Sequence, residues 1–285
     1  MHWGTNRGKC DMTPPTPNII SHPLSNDARE ARVLVLMYHR VGPSDNAWEL
    51  RYCISPELFA KHLHAIESQG YRPISARTMF EWLEGGALPS PRSVVITFDD
   101  GFQELHTHAA PLLAARGWPY TVFLVADLIG KEDAWTQQEN PAGRCHRLLD
   151  AREISDMMQM GASFQSHSLR HSSLVALDDA ALHDDLVKSR CVLEDLLGHP
   201  VEFLAYPFGH VDARVQAAAC TAGYRGAFST QPGFNRASVD RYRIRRLDIA
   251  GDDGPGTLIR KMRFGTNDGG IFRSAKYYLS RLRGR

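Results

Sequence analysis

The apolar pattern of the chain begins at Val33-Leu34-Val35-Leu36-Met37-Tyr38, a short unbroken run followed by His39 and Arg40. A run of that length with polar flanks predicts a buried strand. Ser55-Pro56-Glu57 then opens a helix, with Ser55 as N-cap and Pro56 at the first helical position. Leu58, Phe59, Leu63 and Ile66 give that helix an apolar face, and Gly70 closes it. A short strand is expected over 71–74 and a helix over 76–84. Residues 93–98 (Ser-Val-Val-Ile-Thr-Phe) predict a second buried strand. A helix over 103–116 ends at Gly117. Strands are then expected at 119–125, 162–165, 201–205, 225–229 and 242–247, with helices at 152–160, 178–197 and 213–222. Residues 127–150 have weak periodicity and read as a loop with helical pieces.

Strand and helix alternate with short connections, which implies a parallel sheet with helices outside it. Roughly six to eight such units fit an α/β barrel, complete or distorted. An open doubly wound sheet is the competitor, weakened because no glycine fingerprint follows an early strand. One catalytic domain is expected over 32–250, with a flexible leader at 1–31 and a basic C-terminal extension at 251–285.

Composition narrows the function classes. Hydrophobic content of 43% and charged content of 23% are those of an ordinary globular protein. A formal net charge of +1 gives no overall bias toward nucleic acid. Arg273, Lys276, Arg281, Arg283 and Arg285 make the C-terminus locally basic. That reads either as a solvated helix end or as a weak anchor to an anionic membrane surface. The five cysteines are scattered without a CxxC, which suits free thiols in a reducing compartment. Residues 1–31 hold no apolar run of signal-peptide type, so a cytoplasmic location is expected, at most at the inner membrane face.

Candidate chemistry gathers at predicted strand ends. Asp99 and Asp100 end the strand at 93–98, followed by Gly101. Adjacent enclosed carboxylates repel and lose hydration, so a cation is the natural compensation. His167 and His171 follow the strand at 162–165, and His39 follows the first strand. Two imidazoles and one carboxylate leave open positions on a zinc-like ion, with the second carboxylate kept for proton transfer. Each piece alone has a blander reading. Asp-Asp-Gly is a common turn, and with thirteen histidines an H-x-x-x-H pair arises by accident. His62/His64 and His106/His108 are read as surface residues.

Together the segments resemble a known family. Thr97-Phe98-Asp99-Asp100-Gly101 and His167-Ser168-Leu169-Arg170-His171 are similar to the first two motifs of the polysaccharide deacetylases, the NodB-homology carbohydrate esterases. Val35–Val41 and Ala205-Tyr206-Pro207-Phe208-Gly209 resemble the branch containing poly-N-acetylglucosamine deacetylases. The resemblance implies a distorted (β/α)7 TIM-like barrel. It implies Asp99 as general base and Asp100, His167 and His171 as ligands of a divalent metal, zinc first, with cobalt, nickel or iron as alternatives. It implies His39 as general acid, and Pro207, Phe208 and Tyr206 at the substrate, with the Phe208 N–H donating to an oxyanion. The family's base-orienting arginine is replaced here by Ala205, which leaves Arg245 or Arg246 as candidates for that work. Phe102, Trp135 and Tyr206 are candidate sugar platforms. The implied substrate is an N-acetylated glycan or a lipid- or nucleotide-linked sugar. Deacylation of another amide or an O-acetyl ester, or sugar binding without catalysis, are the alternatives.

Overall fold

A computed structural model describes residues 31–136 and 140–268. Among these residues ten short strands and seven α-helices follow one another in the predicted rhythm. Strand β1 (Leu34–Tyr38) is followed by β2 (Arg40–Val41) and β3 (Cys53–Ile54), which pair only with each other. Helix α1 (Pro56–Ser68), β4 (Arg72–Pro73), α2 (Ala76–Leu83) and β5 (Ser93–Phe98) come next. Then follow α3 (Ala110–Ala114), β6 (Tyr120–Leu124), α4 (Ala151–Gln159), β7 (Ala162–Ser166) and α5 (Asp179–Leu197). The series ends with β8 (Phe203–Ala205), α6 (Ala213–Thr221), β9 (Gly226–Phe228), β10 (Leu247–Asp248) and α7 (Pro255–Phe264). The main sheet is wholly parallel, in the order β10-β1-β5-β6-β7-β8-β9, with β4 beside β5. It curls into a distorted barrel, as expected.

Local chemistry accounts for the helix ends. Ser55 caps α1 through its hydroxyl, which accepts from the Leu58 N–H at 3.2 Å. Asp150 and Glu153 form a reciprocal capping box on α4. Helix α5 stops at Gly198 in the left-handed conformation that glycine adopts without steric cost. The helix expected at 103–116 is instead a wide π turn (Leu105–Ala109) followed by the short α3. Pro111 has no N–H for the turn before it, so the regular ladder cannot run through.

The alternation of side chains along each strand sorts the core into two clusters. Leu34, Leu36, Tyr38, Val94, Ile96 and Phe98 face outward against α1 and its neighbours. Val33, Val35, Val95, Phe123, Phe203, Ala205 and Phe228 face inward with Phe80 of α2. The Phe80 and Phe203 ring centroids lie 4.4 Å apart. This parity sends His39, Asp99 and His167 to the concave side, one step beyond inward-facing residues.

The last predicted strand is divided. Ile244 bridges Phe228 beyond the end of β9, whereas Leu247 pairs with Leu36 of β1. Residues 242–248 thus cross from the last strand to the first and close the barrel, leaving Arg246 in the crossing. Helix α7 falls in the stretch read as an extension. Leu258 and Met262 are nevertheless fully part of the outer core, and α7 packs on α1. His62, read as a surface residue, is 0% exposed. Its Nδ1 meets the Tyr38 hydroxyl and its Nε2 the Asp253 carbonyl, so a core position is made tolerable by two hydrogen bonds. No helix among the described residues is long and apolar enough to cross a membrane. The leader and the basic tail residues Arg273 to Arg285 lie outside the described residues.

Candidate active site

The C-terminal ends of β1, β5, β7 and β10 surround a cavity of about 430 Å³. Asp99 continues the inward face of β5. Asp100 would point outward on a regular strand, but its φ of 71° turns it back to the same cavity. Gly101 follows at φ 77°, and a Cβ there would lie 2.6 Å from Leu124 Cδ2. The tight double turn therefore demands glycine at that position.

His167 extends β7 and is buried. Its Nδ1 lies 2.8 Å from the Ala205 carbonyl oxygen, a contact that requires a proton on Nδ1 and leaves the Nε2 lone pair for the cavity. His171 comes from the following loop, at φ 58°, its N–H donating to Ser168 Oγ at 3.0 Å. Trp135 stacks on the His171 ring with centroids 4.3 Å apart, and Phe208 meets it edge-on at 4.6 Å.

Asp100, His167 and His171 bring one ligand atom each within 4.8 Å of one another. Asp100 Oδ1 lies 3.4 Å from His167 Nε2 and 3.3 Å from His171 Nε2. It is buried, yet has no hydrogen bond of acceptable geometry. Ligands about 2.0–2.1 Å from a tetrahedral ion are themselves separated by roughly 3.4 Å. The spacing and the orphaned oxygen are those of a ligand set for a divalent cation, so these three residues fit the ion that the sequence implied.

Asp99 has a different environment. Arg246, 0% exposed, grips both its oxygens, Nη1 to Oδ1 at 2.6 Å and Nη2 to Oδ2 at 2.8 Å. The guanidinium also donates through Nε to the Ser229 carbonyl at 2.9 Å and lies near the Phe123 and Phe228 rings. Burial alone would raise the Asp99 pKa, but the Arg246 charge and then His167 outweigh it and hold the carboxyl below its usual range. Burial likewise opposes ionisation of Asp100, and the two imidazoles overcome it. Burial pushes the His171 pKa down to about 4, whereas Asp99 and Asp100 raise that of His167 against the same burial.

The other expected residues divide. Pro207 is buried but is not among the residues that line the cavity, whereas Phe208 stands on its rim, 48% exposed with φ 59°. His39 lines the cavity, with a buried, unpartnered Nδ1 and its ring against Tyr52. Phe102 and Trp135 line it as well. Tyr206 borders it, but its ring belongs to the outer core and its hydroxyl donates to the Tyr242 carbonyl at 3.0 Å. It packs rather than offering a sugar platform, because strand parity turns it outward. Arg245 points away from Asp99 for the same reason and donates to the Pro232 carbonyl at 3.2 Å. Of the two arginine candidates only Arg246 reaches the site.

Several cavity residues were not foreseen. Asp248 sits beside Met37 across the β1–β10 ladder, with a buried, unpartnered Oδ1. Burial raises its pKa, and the charge of His39 opposes this. On the far wall Arg40 is clamped by Glu49 at 2.6 Å, Glu104 at 3.1 Å and His146 Nδ1 at 2.8 Å. Trp48 and Tyr52 form an edge-to-face pair beside them, 5.5 Å apart. Inward parity from Arg246 would have flagged Asp248. The Arg40 cluster has no sequence signal, because the loop at 127–150 brings His146 back across 106 positions.

Residues 87–227 match the polysaccharide deacetylase family. A poly-beta-1,6-N-acetyl-D-glucosamine N-deacetylase of Staphylococcus epidermidis is 25% identical over 77% of this chain and 79% of its own length. The structure of IcaB from Ammonifex degensii superposes with a TM-score of 0.69 at 24% identity, covering 81% of this chain and 97% of that one. The Streptococcus pyogenes deacetylase PplD, in complex with acetate, gives 0.69 at 22% identity, over 81% and 98%. The motifs at Asp99 and His167, the curled parallel sheet that brings them together and these likenesses agree: the chain belongs to the polysaccharide deacetylase family.

Proposed function

We propose that the protein is a metal-dependent hydrolase that removes N-acetyl groups from the amino-sugar units of a glycan. The observation that carries this reading is the pairing of two unlike carboxylates. Asp100 shares one small volume with His167 and His171, and Asp99 is held beside them by Arg246. Asp100, His167 and His171 would hold the divalent ion, zinc foremost. The chemistry such an ion supplies is polarisation of a carbonyl and a lowered pKa for water.

The chain's own residues divide the remaining work. Asp99, kept ionised by Arg246, accepts the proton from water as it adds to the acetamide carbon. Arg246 fixes the plane of that carboxylate through two parallel hydrogen bonds. The Phe208 N–H donates to the developing oxyanion from the cavity rim. His39 gives a proton to the departing nitrogen from the cavity wall it shares with Asp248. Acetate and a free amine result. Trp135, stacked on His171, and the Trp48–Tyr52 pair offer apolar faces to sugar rings at the mouth.

A relative named for poly-beta-1,6-N-acetyl-D-glucosamine makes β-1,6-linked N-acetylglucosamine oligomers the first substrate to try. Lipid- and nucleotide-linked N-acetylglucosamine and a matched O-acetyl ester complete the panel. The zinc-loaded protein should release acetate from an N-acetylated sugar, and Asp99→Asn should not. Absence of acetate from every member, with one zinc bound per chain, rejects the proposal.

A further inference from the structure

A second cavity, of about 400 Å³, opens at the N-terminal ends of the strands, beside Leu34 and Ser93. It lies on the opposite rim of the barrel from Asp99 and His167. Arg32, Arg92 and Arg263 line it, and among the described residues no carboxylate does. Some exposed arginines elsewhere, such as Arg77, Arg144 and Arg170, are paired with an acid, whereas among the described residues these three are not. Three cations around one cavity repel unless an anion comes between them.

Each guanidinium is held in a way that leaves donors over. Arg32 sits over the Phe234 ring, its Cζ 4.1 Å from the centroid, a contact that uses none of its N–H donors on an acceptor oxygen. Arg92 spends Nη1 on the Gln69 carbonyl at 2.5 Å. Arg263 projects from the last turn of α7. Tyr71 lines the cavity with them. Burial raises its pKa, and the charges of Arg32 and Arg92 both pull it down, so both guanidiniums bear on the same oxygen.

The backbone marks the same place. Five non-glycine residues among those described have positive φ. Asp100, Ser168, His171 and Phe208 lie in the loops of the catalytic cavity, and the fifth is Arg92, at φ 61°. Such conformations persist where the surroundings enforce them, and they concentrate at sites that bind or react.

We propose that the Arg32–Arg92–Arg263 cavity binds a phosphate group. A planar fork of N–H donors matches phosphate oxygens, and three forks supply enough charge for a dianion. The cavity is larger than one phosphate, so the natural ligand carries more than the bare ion. It is a soluble phosphorylated compound or the headgroup of an anionic phospholipid.

Pyrophosphate and vesicles separate these two sources. The zinc-loaded chain is titrated with inorganic pyrophosphate by calorimetry, and sedimented with phosphatidylglycerol or phosphatidylcholine vesicles. Saturable pyrophosphate binding marks a soluble ligand, and sedimentation with phosphatidylglycerol alone marks a headgroup. In either case Arg92→Gln and Arg263→Gln should each weaken binding about tenfold, with acetate release unchanged. Arg92→Lys, which keeps the charge but not the fork, should recover part of the affinity lost in Arg92→Gln and guards against a folding defect. Asp100→Ala, which disables the metal centre, should leave rim binding intact. Binding that is absent in both arms, indifferent to the arginine substitutions, or lost in Asp100→Ala overturns the proposal.

Discussion

The two rims of the barrel solve opposite electrostatic problems. At the C-terminal rim, carboxylates converge: Asp99, Asp100 and Asp248 all reach one cavity. One is neutralised internally, because Arg246 closes on Asp99. Another keeps an oxygen without a hydrogen bond, facing two imidazoles. At the N-terminal rim, cations converge and no acid among the described residues answers them. Charge left unbalanced inside a fold is costly unless a ligand completes it. Where a fold supplies the counter-charge itself, as at Asp99, the residue is fixed in place. Where it does not, as at Asp100, the residue is available to something from outside.

That contrast can be broken at the two neighbouring acids. Asp99→Asn should lower kcat by about 10²–10⁴-fold while zinc content stays at one per chain. Asp100→Ala should lose both the metal and the activity, read by elemental analysis alongside acetate release. Equal zinc loss in both variants would remove the distinction between the two carboxylates.

Removal of the internal counter-charge comes next. Arg246→Gln leaves a buried carboxylate unpaired and should cost about 3–5 kcal/mol in chemical denaturation. It should also move pH behaviour in a definite direction. The folded pKa of Asp99 lies below the unfolded value, so its stabilisation is complete above about pH 4 and is lost as pH falls through the folded pKa. In Arg246→Gln burial acts with less opposition. The acid limb of the kcat/KM profile should then shift to higher pH.

A smaller effect tests how the ligand loop is held. Trp135→Ala removes the ring stacked on His171, and zinc affinity should fall about tenfold with little loss of global stability. The smallest lies on the other rim. Arg92→Gly relieves a left-handed backbone and should raise stability by roughly 1 kcal/mol, with acetate release unaltered.

Much of this was legible in the sequence, and strand parity explains both the successes and the failures. Asp99 follows Val95 and Thr97, and His39 follows Val35 and Met37, at two-residue intervals. Apolar runs that locate the strands therefore also aim the residues just past their ends. The same rule, applied at the crossing, separates Arg246 from Arg245 and turns Tyr206 into the outer layer. It was not decisive beforehand because residues 242–247 are not one ladder: the segment leaves β9 and joins β1 partway. Nor could periodicity locate Arg40's partners, which come from an irregular loop. His62 was misplaced because a lone polar residue on a helix gives no sign of the carbonyl and hydroxyl that await it.

The crossing strand has a consequence for synthesis. Asp99 leaves the ribosome 147 residues ahead of the guanidinium that neutralises it. Final closure waits on the segment that delivers Arg246, so a nascent chain cannot complete the site until residue 246 has been made.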